Sequence, residues 1–185
     1  MTHDRNEEAS KTPKDKQRTP PALFKKLNER FRFQFDAAAD QNNTLCRDYF
    51  SDVEQQGFIK VVDDKIFMCH GNALKMDWPR HTSIFCNPPY SVGQIDQFMR
   101  RGRAASLIGS TVAFLVPADI STWWWDHCMN AAEWIRIKGR VQHYHEDGTQ
   151  IKGSPQFGSM VVIFDHEQRM KQGGKLIVTE MPKWK

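Results

Sequence analysis

Apolar residues in this 185-residue chain fall into short runs divided by polar turns, and the period inside each run changes along the chain. Leu23, Leu27 and Phe31 recur every four residues behind Thr19-Pro20-Pro21, which predicts a short amphipathic helix with Thr19 as its cap and proline in its first turn. Phe31, Phe33 and Phe35 then alternate with polar residues, a strand period that leads into Asp36-Ala37-Ala38-Ala39-Asp40. Residues 43–50 read as a helix, with Leu45, Cys46, Tyr49 and Phe50 on its inner face. Two apolar runs at 58–62 and 66–69, parted by Asp63-Asp64, read as strands, the second leaving through His70-Gly71-Asn72. A central strand follows at Ile84-Phe85-Cys86, then a helix over 95–107 with Ile95, Phe98 and Met99 inward and Arg100, Arg101 and Arg103 outward. Residues 111–116 form a strand closed by Pro117-Ala118-Asp119, and Ser121 and Thr122 are placed to cap a helix that begins at Trp123-Trp124-Trp125. Three adjacent tryptophans cannot share one helical face, so at least one is partly exposed. A strand over 134–137, a loop over 141–158 and a strand over 160–164 complete the pattern.

Strands alternating with helices predict an α/β fold, a mixed sheet with helices on both faces. In such sheets ligands bind beyond the carboxyl ends of the strands, where the strand order reverses. The unusual residues, Asp36 to Asp40, Asn72, Asn87 to Tyr90 and Pro117 to Asp119, fall at those ends. Small residues there let a ligand approach the backbone, and Asp36 or Asp40 can accept hydrogen bonds from a ribose or an ammonium.

Composition narrows the class. Residues 1–18 are charged and nearly free of apolar side chains, a disordered polar arm before a single domain over 19–165, with a basic extension over 166–185. Cys46, Cys69, Cys86 and Cys128 are scattered without a Cys-x-x-Cys pair, so neither a disulfide framework nor a metal site is expected. The scattered cysteines fit a reduced cytoplasm, the chain start does not resemble a signal peptide and no apolar run is long enough to span a bilayer, so no membrane partner is expected; the expectation is a monomer, with a dimer left open. A net charge of +4 fits a polyanionic partner only weakly.

The sharpest chemical signal is Asn87-Pro88-Pro89-Tyr90 at the end of the central strand. Asn-Pro alone is a common turn initiator, and Pro-Pro a stiff loop. Together, the prolines fix φ and remove two backbone donors, holding the Asn87 side chain and the Pro88 carbonyl in a preset relation. Two fixed acceptors can take both N–H bonds of an aromatic amine and free its lone pair to attack. Tyr90 is suited to lie over the ring, a contact worth about 1–3 kcal/mol in nucleic-acid sites.

These residues resemble the small phage-type DNA N6-adenine methyltransferases, which use S-adenosyl-L-methionine and share a Rossmann-like methyltransferase fold. The resemblance is carried by Thr19-Pro20 with Leu23-Phe24, Phe35-Asp36 through Ala38, Asn43-Thr44-Leu45-Cys46 and Asn87 to Ser91, then Pro117-Ala118-Asp119 and Ser121-Thr122-Trp123. Gly139-Arg140 and Ser154-Pro155 with Phe157-Gly158-Ser159 extend it. It implies a cofactor held by Thr19, Pro20, Phe24, Asp36, Ala37, Ala38, Asp40, Asn72 and Asn87, with Asn72 where relatives often carry an aspartate that reads the adenine amine. It implies catalysis by Asn87, Pro88, Pro89 and Tyr90 on an adenine flipped out of double-stranded DNA. Tyr144, His143 and Phe157 compete to close the base sandwich, and Ser154, Arg100, Arg101, Arg103 and Arg140 are candidates for contacts with DNA. The host bacterial cytoplasm is then the expected location. The same tetrapeptide serves methylation of adenine in RNA or of a protein glutamine, and a non-catalytic DNA-binding protein could keep the fold without turnover.

Overall fold

A computed structural model of the protein describes residues 17–52, 57–91, 93–145, 147–152 and 157–181. Helix α1 (Pro21–Phe31) opens the fold, followed by strands β1 (Phe35–Asp36), β2 (Asp48–Ser51), β3 (Phe58–Val62), β4 (Lys65–Asn72) and β5 (Ser83–Cys86). Helix α2 (Gln94–Leu107), strand β6 (Thr111–Pro117), the short α3 (Trp125–Cys128), β7 (Glu133–Arg136), β8 (Ser159–Phe164), α4 (His166–Lys171) and β9 (Ile177–Glu180) follow. The nine strands of the described residues join one sheet in the order β3-β4-β2-β1-β5-β6-β8-β7-β9. Neighbours from β4 to β6 are parallel, and β8 runs antiparallel between β6 and β7.

Alternation along the central strands sends side chains to two opposite cores. Ile84 and Cys86 join Val112, Phe114 and Val116 under α2, which contributes Ile95, Phe98 and Met99. Phe85 faces the other way and joins Ala113, Leu115, Val161 and Ile163 under Leu23 and Leu27 of α1. The helices therefore cover both faces, as the alternation predicts. Each large side chain taken fully from water here contributes about 1.5–3 kcal/mol. Gly102 lets α2 sit close on β6, since a Cβ there would fall 2.3 Å from the Phe114 ring.

Several local expectations need correction. Residues 43–50 are not a helix: a turn over 41–43 leads into β2, which lies between β1 and β4. Tyr49 and Phe50 are both buried although they face opposite sides of the sheet, and a doubly buried strand has the same apolar run as a helix. Phe31 closes α1 instead of opening a strand, because Arg32 turns to a left-handed φ of 52° and ends the helix. Thr19 makes no capping bond; the N-cap position is Pro20 and Thr19 is buried. Ser121 and Thr122 do not cap α3, since both hydroxyls donate to Asp119, at 2.6 Å to its carboxylate and 2.9 Å to its carbonyl. Asp63 and Asp64, with φ of 48° and 61°, form the tight turn that pairs β3 with β4. The segment after Asp165 carries α4 and then β9, which pairs parallel with β7, and Met181 is buried among the α1-side core. Of the three tryptophans, Trp123 is the exposed one.

Candidate active site

The parallel strands end on one edge of the sheet, and β1 and β5 are adjacent there although the chain runs through β2, β3 and β4 between them. The order reverses at this point, which is where an α/β sheet opens a crevice. A cavity of about 290 Å³ lies there, lined by Asp36, Ala38, Phe85 and Asn87 from the two strand ends. Gln17, Arg18, Thr19 and Pro21 close one side; Asn42, Asn43, Thr44 and Leu45 close another; Tyr144 and Gly148 close a third.

Asp36 is only 3% exposed. Its carboxylate accepts the Ala38 N–H at 3.3 Å and the Leu45 N–H at 3.1 Å, so the loop after β1 folds round it. Burial pushes its pKa up to about 6, with the two backbone donors opposing the shift. The group therefore changes charge close to neutrality.

On the neighbouring strand end, the Asn87 carboxamide is held from both sides. Its Nδ2 donates to the Gln17 carbonyl at 3.2 Å, and its Oδ1 accepts the Tyr90 hydroxyl at 2.8 Å. The same hydroxyl lies 3.1 Å from the Leu115 carbonyl, which ties the corner to β6. Burial raises the Tyr90 phenol well above its ordinary value, so it stays a donor. An amide oxygen has two lone pairs, so Oδ1 keeps one for a further donor. His143 stands edge-on to Tyr90 with ring centres 6.4 Å apart, and burial lowers its pKa, so it is neutral near pH 7.

The structure gathers Thr19, Asp36, Ala38, Asn87 and Tyr144 around one space and separates other expected residues from it. Phe24 packs into the core against Phe85 at 5.2 Å. Ala37 is buried in the sheet, with its N–H on the Phe85 carbonyl. Asp40 folds into its own turn, accepting the Asn42 N–H at 2.6 Å. Asn72 ends β4 away from the cavity; its side chain accepts the Leu74 N–H at 2.9 Å and donates to the Asp52 carbonyl. Arg101 turns its guanidinium onto the Leu74 and Met76 carbonyls instead of outward, and Arg100 pairs with Asp96 at 3.0 Å. Arg103 and Arg140 are exposed; Ser154 lies outside the described residues. Phe157 is 47% exposed on the same edge as Ile120 and Trp123, which are 75% and 57% exposed on the loop after β6. No cluster able to hold a metal ion occurs among the described residues, and no helix there is long and apolar enough to cross a membrane.

Gln17, Arg18, Asn42 and Gly148 were missed by reading the sequence. Gln17 and Arg18 fell inside a run read as a polar arm, and Asn42 carries no signal of its own beside the expected helix. Asn43, Thr44 and Leu45 were legible only as marks of a family resemblance.

The model of the family DNA N-6-adenine-methyltransferase (Dam) matches residues 6–179. A DNA N-6-adenine-methyltransferase of Escherichia phage T1 is 29% identical over 122 residues, 65% of this chain. The matched part spans 43% of that relative's length. With nearly its whole length matched, the chain belongs to the DNA N-6-adenine-methyltransferase (Dam) family.

Proposed function

We propose that this chain is a DNA adenine N6-methyltransferase, moving a methyl group from S-adenosyl-L-methionine to the exocyclic amine of an adenine turned out of duplex DNA. The observation that carries this reading is the meeting of Asp36 and Asn87 on one cavity at the switch between β1 and β5. The order β4-β2-β1-β5-β6-β8-β7, with a single antiparallel strand between its last parallel neighbours, supports a Rossmann-like methyltransferase fold.

The residues present fit the cofactor. Asp36 with its buried carboxylate, Arg18 and several amide side chains line a space whose volume falls just short of the range for small-molecule sites, which begins at about 300 Å³. S-adenosyl-L-methionine supplies a methyl group already activated on a positively charged sulfur. Asp36, Ala38 and Thr19 would hold its methionine arm, and Asn87 stands between that space and the Tyr90 corner. The remaining task is to aim an amine. Asn87 Oδ1 and the Pro88 carbonyl accept its two N–H bonds, which withdraws the lone pair from the ring, and the methylated, strongly acidic nitrogen then gives up one proton to water. Tyr90 supports the ring face. Orientation of this kind can supply about 7–11 kcal/mol of a barrier.

Double-stranded DNA as substrate accords with the family and with the apolar rim of Ile120, Trp123 and Phe157 beside the corner. Extruding a base costs a few kcal/mol, and stacking in the pocket offsets it. The test is incubation of the purified protein with methyl-labelled cofactor and, in parallel, duplex DNA, RNA and protein. Label recovered as N6-methyladenine from DNA is the expected result. Label confined to RNA or to protein glutamine, or cofactor binding with no transfer, would replace this reading with one of its rivals.

A further inference from the structure

Among the described residues, Arg18 is the one cation that lines the cavity, and its side chain has no assigned role. It precedes α1, and its backbone is fixed in place: its N–H donates to the Tyr144 carbonyl at 2.9 Å and its carbonyl accepts the Tyr144 N–H at 3.1 Å. Its guanidinium Nε is buried and has no hydrogen-bond partner among the described residues. An arginine in water needs no partner, but a buried N–H without one costs free energy that a bound acceptor would recover. The Thr149 hydroxyl and backbone N–H chiefly hold the fully exposed Asp147 carboxyl below its usual range, and the His145 and Arg18 charges lower it less. It does not reach the buried nitrogen.

The same cavity carries Asp36. One cation and one anion facing a single small space complement a zwitterion, and a planar guanidinium is matched in geometry to a carboxylate. We propose that Arg18 binds the α-carboxylate of the cofactor's methionine arm while Asp36 receives its α-ammonium. This rests on the methyltransferase reading above and adds a residue to it. The Arg18 backbone bridges to Tyr144, so the residue whose side chain is proposed to read the cofactor is anchored through its main chain to the loop beside the cavity.

Titration calorimetry separates the possibilities with two ligands. S-adenosylhomocysteine carries both charges, and S-adenosyl-3-thiopropylamine keeps the ammonium but lacks the carboxylate. Wild type is expected to bind the first more tightly. Arg18→Gln is expected to lose about ten- to a hundredfold in affinity for S-adenosylhomocysteine, the scale of a charged hydrogen bond. Its affinity for the amine should stay within about twofold. Arg18→Lys should fall between. Equal losses for both ligands would mean that Arg18 only supports the loop, and unchanged affinity for S-adenosylhomocysteine would remove it from the site; either overturns the proposal. Should Arg18→Gln fail to fold, wild type alone decides, because equal affinity for the two ligands leaves no carboxylate reader. A wild type that binds neither ligand sinks the methyltransferase reading, and this proposal with it.

Discussion

Two loops leave adjacent parallel strands and meet at one cavity, yet they hold their shape in opposite ways. The corner after β5 is stiffened from within: Pro88 and Pro89 fix their own φ and restrict the residue before each. The loop after β1 is laced from outside its own backbone preferences. The Asp36 carboxylate takes the Leu45 N–H nine residues on, Asn43 Oδ1 takes the Asp40 N–H at 2.7 Å, and the Thr44 hydroxyl donates to the Cys46 carbonyl at 2.8 Å. A stiff corner suits a step that depends on aim. A loop gathered round a buried acid suits binding, where charge counts for more than a fraction of an ångström. If that division holds, damage to the corner should appear in turnover and damage to the loop in cofactor affinity.

The largest effect is therefore expected at Asn87. Asn87→Ala removes the acceptor and leaves the prolines, and turnover should fall by about 10²–10³-fold, the scale of removing one preorganised polar group from a transition-state site. Affinity for S-adenosylhomocysteine should change far less. Single-turnover kinetics beside calorimetry would measure both, and an affinity loss as large as the rate loss would erase the distinction between the loops. Next comes Tyr90. Tyr90→Ala removes ring and hydroxyl together and should cost about ten- to a hundredfold, as expected for a stacked base. Tyr90→Phe keeps the ring but releases Asn87 Oδ1 from its 2.8 Å bond, so its loss should be real and smaller. Equal losses in methylation of duplex DNA would assign the whole effect to the hydroxyl.

This contrast also explains what could be read from the sequence. The corner was legible because proline acts on its own and adjacent residues. The sheet with helices on both faces was legible in the same way, since Phe85 between Ile84 and Cys86 and the Ile95, Phe98, Met99 spacing each declare a period locally. The loop after β1 was not. Leu45, Cys46, Tyr49 and Phe50 have helical spacing, and only the burial of Tyr49 and Phe50 between two neighbouring strands selects a strand there. Arg101 looked solvated for the same reason: the carbonyls of Leu74 and Met76 that capture it lie more than twenty residues away in the chain. Arg18 sits among charged residues, and only its pairing with Tyr144 brings it to the cavity.

A smaller effect should expose the loop's dependence on charge. If Asp36 receives the ammonium of S-adenosyl-L-methionine as proposed, it must be ionised to do so, and protons compete for that carboxylate as the pH falls through about 6. Wild-type affinity for S-adenosylhomocysteine should thus weaken about tenfold between pH 7 and pH 5, approaching one decade per pH unit below the pKa. Asp36→Asn should bind weakly at both values with little slope. A wild-type affinity that is flat over this range would mean that Asp36 does not face the ammonium.

The smallest effect concerns stability without ligand, and it has the opposite sign. The carboxyl of Asp36 titrates near 6 in the fold, above its ordinary 3.8, because burial disfavours the charge. A raised carboxyl pKa means that the folded state binds the proton more tightly than the unfolded chain does. Its contribution is fully present below the unfolded value and is lost as the pH rises through 6. Between pH 7 and pH 5, wild type should therefore gain about 1 kcal/mol relative to Asp36→Asn, whose own pH dependence subtracts every other titrating group. Urea unfolding of the two proteins at both pH values measures the difference. A loss instead of a gain would mean that the Ala38 and Leu45 donors outweigh desolvation, and that the loop after β1 closes round an anion already stable before any ligand arrives. The same acid that weakens cofactor binding should firm the empty fold, a pairing of signs that a purely structural aspartate would not produce.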